Sequence, residues 1–239
     1  MPAAGYFEMA WAGSLCGMDA PRDPGALARY WDGPGSEKRF SHPLRREWLQ
    51  RYTGPQARIL DLGCGYGRTL GELGRAGYKN RIGMDISRGM LRRCRSEQSG
   101  SDLVQSDGRT IPLREHAVDL VVLFAVLTST PRDQDQIALL GEIGRVLRPG
   151  GHLYISDLLL NNDARNLERY ERYRAEFGRY GTFRLPDGIV VRHHEEEWIQ
   201  ELTGGFHQLE YEVFEAATMN GNRSAAFQFF GRASGVPSK

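Results

Sequence analysis

Ile59-Leu60-Asp61-Leu62-Gly63-Cys64-Gly65-Tyr66-Gly67-Arg68-Thr69 is a short apolar run that ends in an acid and then places a glycine at every second position. The run has the length of a buried strand, and the glycines mark a loop whose bare backbone lets a ligand come close. Spacing decides which ligand. A dinucleotide fingerprint needs a third glycine three positions after the second, where helix packs on strand and a pyrophosphate sits at the helix N-terminus; counted from Gly63 and Gly65, that position is Arg68. A Walker A loop needs Gly-Lys-Ser or Gly-Lys-Thr, and neither follows. What remains is a loop suited to a ligand without phosphates, beside a carboxylate, Asp61, that can accept from a cationic group.

Outward from this loop the chain repeats the same device. Arg81-Ile82-Gly83-Met84-Asp85-Ile86 is a second strand ending in an acid, Leu103-Val104-Gln105-Ser106-Asp107-Gly108 a third, and Val118 to Phe124 a run that is apolar except for Asp119. In Arg145-Val146-Leu147-Arg148-Pro149-Gly150-Gly151-His152-Leu153 the proline cannot continue a helix and the paired glycines turn the chain back. S-adenosylmethionine, with its ammonium and sulfonium charges, fits the loop and its acid. The glycine loop, the two further strand-end acids and the Pro-Gly-Gly turn, in this order, resemble the class I S-adenosylmethionine-dependent methyltransferases over residues 40 to 232. The resemblance implies S-adenosyl-L-methionine as cofactor and S-adenosyl-L-homocysteine as product. It gives Gly63, Gly65 and Gly67 the cofactor loop, Asp85 both ribose hydroxyls, and Asp107 the adenine amino group, with Gly108 leaving room for the ring. Ile86 and Phe124, at strand ends, are expected against the cofactor, although burial in the core accounts for Ile86 and Met84 equally well.

Apolar runs rather than alternation mark strands covered on both faces, so the fold expected is α/β: a doubly wound, mostly parallel seven-stranded sheet with helices on both faces. The strands are expected over 58–62, 81–85, 103–105, 119–124 and 152–156, with helices over 69–76, from Ser87, and over 133–147. Residues 163–177 read as an amphipathic helix, 183–191 as a hairpin broken by Pro186-Asp187-Gly188, and 195–202 as a short helix. Two strands, 209–217 and 224–230, are joined by Met219-Asn220-Gly221-Asn222, and the resemblance makes the last antiparallel. The Gly, Ala and Pro content of residues 1–36 predicts a loosely ordered start with a short helix at 26–31, followed by a single domain over 37–239 in which 158–206 is a substrate-capping insertion. A further helix is expected over 43–51.

Composition narrows the partners. With 239 residues, 40% hydrophobic and 26% charged, the chain is long enough for a sizeable core. A formal net charge of +1 supplies no field for gripping nucleic acid or an anionic membrane. No apolar stretch approaches the roughly 18 residues of a membrane span, so a cytoplasmic protein is expected, acting on a small molecule as a monomer or homodimer. The arginine-over-lysine bias points to a bacterial source. Cys16, Cys64 and Cys94 are scattered and odd in number, which argues against a disulfide framework or a structural zinc site. No metal is expected.

Methyl transfer from a sulfonium is an in-line displacement with an activated leaving group, so the protein mainly positions the nucleophile and excludes water. A base is needed only where the nucleophile carries a proton. His42, just before a helix that covers the cofactor in the resembling family, is a candidate base or hydrogen-bond partner; a helix-entry histidine bonded to backbone is the plainer reading. His193 and His194 follow a strand-like run whose successive residues face opposite ways, so at most one faces the site, and His193 is the second catalytic candidate. Arg179, Tyr180, Asn220 and Asn222 are weaker candidates for lining the pocket, and Cys64 is a small spacer in the loop. Other readings stay open: a protein-directed methyltransferase, or a non-catalytic S-adenosylmethionine-binding partner of another enzyme.

Overall fold

A computed structural model describes residues 24–98 and 100–234. Cys16 and most of the expected loose start lie outside the described residues.

The sheet begins with β1 (Ile59–Leu62), β2 (Arg81–Asp85), β3 (Asp102–Gln105), β4 (Val118–Phe124) and β5 (Leu147–Leu158), all parallel where they pair. It ends with β8 (Phe206–Ala217) and β9 (Arg223–Ala233), giving the spatial order β3-β2-β1-β4-β5-β9-β8. Only β9 runs against its neighbours, pairing antiparallel with both β5 and β8. This is the seven-stranded, mostly parallel sheet with an antiparallel last strand that the sequence predicts. β5 is longer than the expected 152–156 because Leu147 already pairs with Val118 across a register shift.

The central strands read as continuous apolar runs because each face has its own cover. Leu60, Leu62, Val121 and Leu123 pack with Leu139, Leu140 and Ile143 of α5 (Asp133–Val146) and with Trp198 and Ile199 of α7 (Glu196–Leu202). Ile59, Leu120, Val122 and Phe124 point the other way, toward Trp48 and Leu49 of α2 (Arg46–Tyr52) and Leu73 of α3 (Arg68–Arg75). The alternation of a strand is thus intact, but both phases are apolar. α4 (Arg88–Glu97) follows β2, with the Ser87 hydroxyl accepting from the Met90 N–H at 3.0 Å as its N-cap.

Two segments stand outside this frame. Between β5 and α7 come α6 (Ala164–Phe177) and a small antiparallel pair, β6 (Thr182–Arg184) with β7 (Val190–Arg192). Arg192 anchors this insertion: its guanidinium is 1% exposed, donates to Asp133 Oδ1 at 2.5 Å and to the Pro131 carbonyl at 3.2 Å, and lies 5.0 Å from the Trp198 ring centroid. The other segment is α1 (Pro24–Asp32), which contains the short helix expected at 26–31 and extends it at both ends. Asp32 Oδ1 accepts from the Ser87 hydroxyl and the Gly89 N–H, both at 2.7 Å, which fastens α1 to the first turn of α4. The Tyr30 hydroxyl donates to Asp187 Oδ2 at 2.9 Å, which ties α1 to the β6–β7 turn.

Candidate functional site

Strand order reverses between β1 and β4, since β1 pairs with β2 on one side and β4 on the other. In open α/β sheets the crevice beyond the carboxyl ends at such a switch point is where ligands bind. A cavity of about 270 Å³ opens there. It is bordered by His42, Asp61, Gly63, Gly65, Asp85, Ile86, Asp107, Gly108 and Phe124, which are expected site residues brought together from five segments of the chain. Gly67 is not on its wall. With φ at 84° it sits as the left-handed N-cap of α3, where a Cβ would stand 2.4 Å from Cys94 Sγ, so its part is to turn and pack the loop.

The geometry of the loop follows from its neighbours. Gly63 has φ of +76°, and a Cβ there would lie 2.3 Å from Val126 Cγ2, so the β1 and β4 tips approach only because the side chain is missing. A Cβ on Gly65 would meet nothing within 4 Å, which leaves open space beside that backbone for a ligand. The Gly65 N–H donates to Asp85 Oδ2 and the Ser87 N–H to Asp85 Oδ1, each at 2.8 Å. These bonds fix the carboxylate plane while each oxygen keeps a lone pair. Burial pushes the Asp85 carboxyl up, opposed by those same N–H groups.

Asp61 is the unusual group. It is 2% exposed, and its Oδ2 is buried without a hydrogen-bond partner. Burial pushes its carboxyl up to about 7, with Arg68 pulling the other way and Asp85 adding to the rise. A buried, half-satisfied carboxylate is costly unless a donor meets it. Asp107 bonds to Arg109, accepting from its backbone N–H at 3.1 Å and from its Nε at 2.5 Å.

Other wall residues carry no motif. Leu27 and Trp31 of α1 close the cavity from above, and Leu139 of α5 from the side. Leu27, Tyr30 and Trp31 recur at helical spacing, an apolar stripe that could have marked the expected helix at 26–31 as one needing a surface to cover. Ala125, also on the wall, has φ of 57°, a left-handed conformation costly for alanine, held by its N–H donating to the Ser156 carbonyl at 2.8 Å. No local sequence signal announces it.

A second cavity of about 60 Å³ adjoins the first, and both are bordered by Trp31, Phe40, His42, Ala125 and Ser129. His42 thus stands at the junction, 3% exposed, with Nδ1 2.8 Å from Ser156 Oγ. Burial lowers its pKa to about 4, with Arg68 adding to the effect. His193 borders the second cavity only, with Nδ1 2.6 Å from the Tyr170 hydroxyl. His194 faces the core, Nε2 2.8 Å from Gln136 Nε2 and Nδ1 3.0 Å from the Leu158 carbonyl. Asn220 and Asn222 border the second cavity. Arg179 instead lies 3.4 Å from Glu195 and 5.0 Å from the Trp198 ring, and Tyr180 packs edge-on to Tyr170.

The residues present fit S-adenosylmethionine. Asp61 Oδ2 supplies an unmet acceptor for an ammonium group, Asp85 offers lone pairs for a pair of hydroxyls, and the bare backbone at Gly65 leaves room between them. Among the described residues no group of His, Cys, Asp or Glu side chains is placed to hold a metal, and no helix is long and apolar enough to cross a membrane.

Comparison with known proteins agrees with this geometry. A family model described as a methyltransferase domain matches residues 60–155. The malonyl-[acyl-carrier protein] O-methyltransferase of Methylococcus capsulatus is 35% identical over 136 residues, 55% of this chain and 48% of that protein. The ubiquinone biosynthesis O-methyltransferase of Ralstonia nicotianae is 33% identical over 162 residues, 61% of this chain and 66% of that one. The chain therefore spans about half to two thirds of the length of these relatives. An S-adenosylmethionine-dependent methyltransferase structure from Methanosarcina mazei superposes with a TM-score of 0.73 at 24% identity, over 79% of this chain and 98% of that one, a likeness of fold. S-adenosylmethionine is the cofactor these likenesses indicate. On its glycine loop, its strand-end acids and these relatives, the chain belongs to the class I S-adenosylmethionine-dependent methyltransferase family.

Proposed function

We propose that the chain is a methyltransferase that moves a methyl group from S-adenosylmethionine to an O, N, S or C atom of a small-molecule acceptor. The observation that carries this reading is the unpartnered Asp61 Oδ2 in a cavity that adjoins a second, smaller one at His42. When bound, the cofactor supplies an electrophilic methyl group on a sulfonium, a leaving group already activated by its charge. The chain's part is to hold and exclude. Asp61 receives the ammonium end, Asp85 the two ribose hydroxyls, and Asp107 with Gly108 and Ile86 the adenine; Gly63 and Gly67 shape the loop.

His42 presents the acceptor with a neutral imidazole. With Nδ1 given to Ser156 Oγ, Nε2 is the nitrogen left to receive a proton or hold a hydroxyl in line. A ring kept neutral to about pH 4 is a weak proton sink, so its main contribution is orientation, with proton removal concerted with transfer. His193, on the second cavity alone, is an acceptor-side residue in this reading. Residues 158–206 act as the cap of one domain over 37–239. The small second cavity under that cap favours a small molecule over a protein side chain presented on a backbone.

The test is calorimetric titration with S-adenosylhomocysteine, followed by incubation with methyl-labelled S-adenosylmethionine and an acceptor panel. Asp85→Ala is expected to weaken cofactor binding by about a hundredfold, as two charge-assisted bonds are lost. Unchanged affinity would remove Asp85 from the ribose. Tight cofactor binding with no label transferred to any acceptor would favour the non-catalytic partner.

A further inference from the structure

The second cavity has a charge character of its own. Its far wall carries Arg165 and Arg169 of α6, and among the described residues no aspartate or glutamate borders it. Arg165 has Asp163 at 3.8 Å, outside the cavity wall. Among the described residues Arg169 has no carboxylate within ion-pair distance; its side chain reaches the Tyr170 hydroxyl, and its Nε is buried without a partner. Its guanidinium carbon lies 3.7 Å from the centroid of the Phe183 ring, which fixes the plane of the fork against an apolar face. Burial lowers the Arg169 pKa from its ordinary value, the mark of a cation held where water does not fully solvate it.

The neighbouring groups add donors. The Tyr170 hydroxyl oxygen accepts from the Asn161 N–H at 3.2 Å, so its proton goes to His193 Nδ1 at 2.6 Å. A neutral His193 that accepts at Nδ1 carries its own proton on Nε2, and burial together with Arg169 and Arg165 keeps the ring neutral, its pKa lowered to about 3. The cavity is therefore bordered by two guanidinium groups and a neutral imidazole, with Trp31, Phe40, Phe183 and His42 also on its wall.

We infer that this cavity takes an acceptor bearing an oxyanion group, a carboxylate or phosphate, received by Arg169 with Arg165 and His193 in support, while the atom to be methylated lies at the His42 end beside the cofactor cavity. The inference rests on the methyltransferase reading for what happens at the His42 end, but the anion site stands on its own geometry. A fork matches carboxylate and phosphate oxygens in two parallel bonds, and with no acid on the cavity wall among the described residues the donors that Tyr170 does not take are left for the ligand.

The experiment titrates benzoate, phenyl phosphate and the neutral isostere benzamide into the full chain saturated with S-adenosylhomocysteine. The expected result is that one or both anions bind at least about tenfold more tightly than benzamide, the usual weight of a charge-assisted bond. The order of the two anions distinguishes carboxylate from phosphate. Arg169→Gln is expected to erase the preference while keeping S-adenosylhomocysteine affinity, and Arg169→Lys to keep part of it. Arg165→Glu, at an exposed position that does not threaten folding, is expected to weaken the anions severalfold and leave benzamide unchanged. Equal binding of benzamide and the anions, or a preference that survives Arg169→Gln, would overturn the proposal. Failure of S-adenosylhomocysteine to bind the wild-type chain would instead overturn the cofactor reading, and the same anion comparison on the free protein would still support or overturn the role of Arg169.

Discussion

Asp61→Asn is expected to make the free protein more stable and the cofactor complex weaker, with both effects following pH. The folded-state pKa of Asp61 is pushed up to about 7 from an ordinary 3.8, so between those values the folded protein binds a proton that the unfolded chain does not. Stability contributed by this group therefore falls as pH rises through that window and levels off above it. Integrated at 1.36 kcal/mol per unit, the cost of Asp61 to the free protein is about 2 kcal/mol at pH 5 and about 4 kcal/mol at pH 8. The amide carries no charge, so Asp61→Asn should recover an increasing share of that difference. For a chain of this size the gain at pH 8 amounts to roughly 8–16 °C in melting temperature, and about half that at pH 5. Cofactor binding should move in the opposite sense. The ligand's ammonium group needs the carboxylate ionised, so wild-type affinity for S-adenosylhomocysteine should fall about tenfold from pH 8 to pH 6, whereas Asp61→Asn should bind at least tenfold more weakly at pH 8 and show a flat profile. Differential scanning calorimetry and isothermal titration across pH 5 to 8 read both. An Asn variant no more stable than wild type at pH 8, or one that keeps full affinity there, would refute the assignment of Asp61 as a strained carboxylate awaiting a cation.

Gly63→Ala forces a Cβ against Val126 at positive φ and should destabilise by about 2–4 kcal/mol in urea melts; pairing it with Val126→Ala should recover part of the loss, because the clash has one partner. Tyr30→Phe removes the bond from α1 to Asp187 and should speed S-adenosylhomocysteine release severalfold in stopped-flow Trp31 fluorescence; an unchanged rate would mean that α1 closes the cavity without that tether. At saturating cofactor, turnover should stay level from pH 8 down to about 5, because burial holds His42 neutral to about 4. A limb centred near 6.5 that disappears in His42→Gln would show instead an accessible, ordinary histidine acting as base.

The cofactor half was legible because its determinants are local. Gly63 and Gly67 need left-handed backbone whatever surrounds them, and a strand of four residues places Asp61 one step before its tip. Counting along the chain was therefore enough to set Asp61, Asp85 and Asp107 at neighbouring strand ends. The acceptor half joins elements far apart in sequence. Strand alternation indicated that only one of His193 and His194 faces the site, but which one depends on Tyr170 and Gln136, contributed by two helices whose packing periodicity alone does not fix. Residues 24–32 sit in a stretch rich in glycine and proline, and a helix of nine residues gains little stability from propensity; it holds because Leu27, Tyr30 and Trp31 find a surface and Asp32 caps α4. The helix at 26–31 was legible but its docking on the cavity was not, and Ala125 was invisible altogether, since its strain is tolerated only where the β4 and β5 tips meet.

The two cavities differ in sign, and that difference bears on how the reaction is aimed. The larger one is bordered by Asp61, Asp85, Asp107 and Asp135, while its arginines Arg68 and Arg109 are engaged by Glu72 at 2.7 Å and by Asp107 at 2.5 Å. The smaller one carries Arg165 and Arg169 and, among the described residues, no acid. A cationic cofactor and an anionic acceptor are thus each favoured in one cavity and disfavoured in the other, which selects occupants before any shape is read. What lies between them is uncharged: Trp31, Phe40, a neutral His42, Ala125 and Ser129. The charged side chains border one cavity or the other, so the shared wall between them is uncharged. The sulfonium positive charge is lost as the methyl group leaves, and a low-dielectric junction that stabilises neither separated charge nor water favours that neutralisation when the acceptor atom is an anion or is losing its proton. On this reading the apolar character of the junction is part of the chemistry, and replacing Phe40 with a charged side chain should lower turnover far more than it lowers the affinity for either ligand.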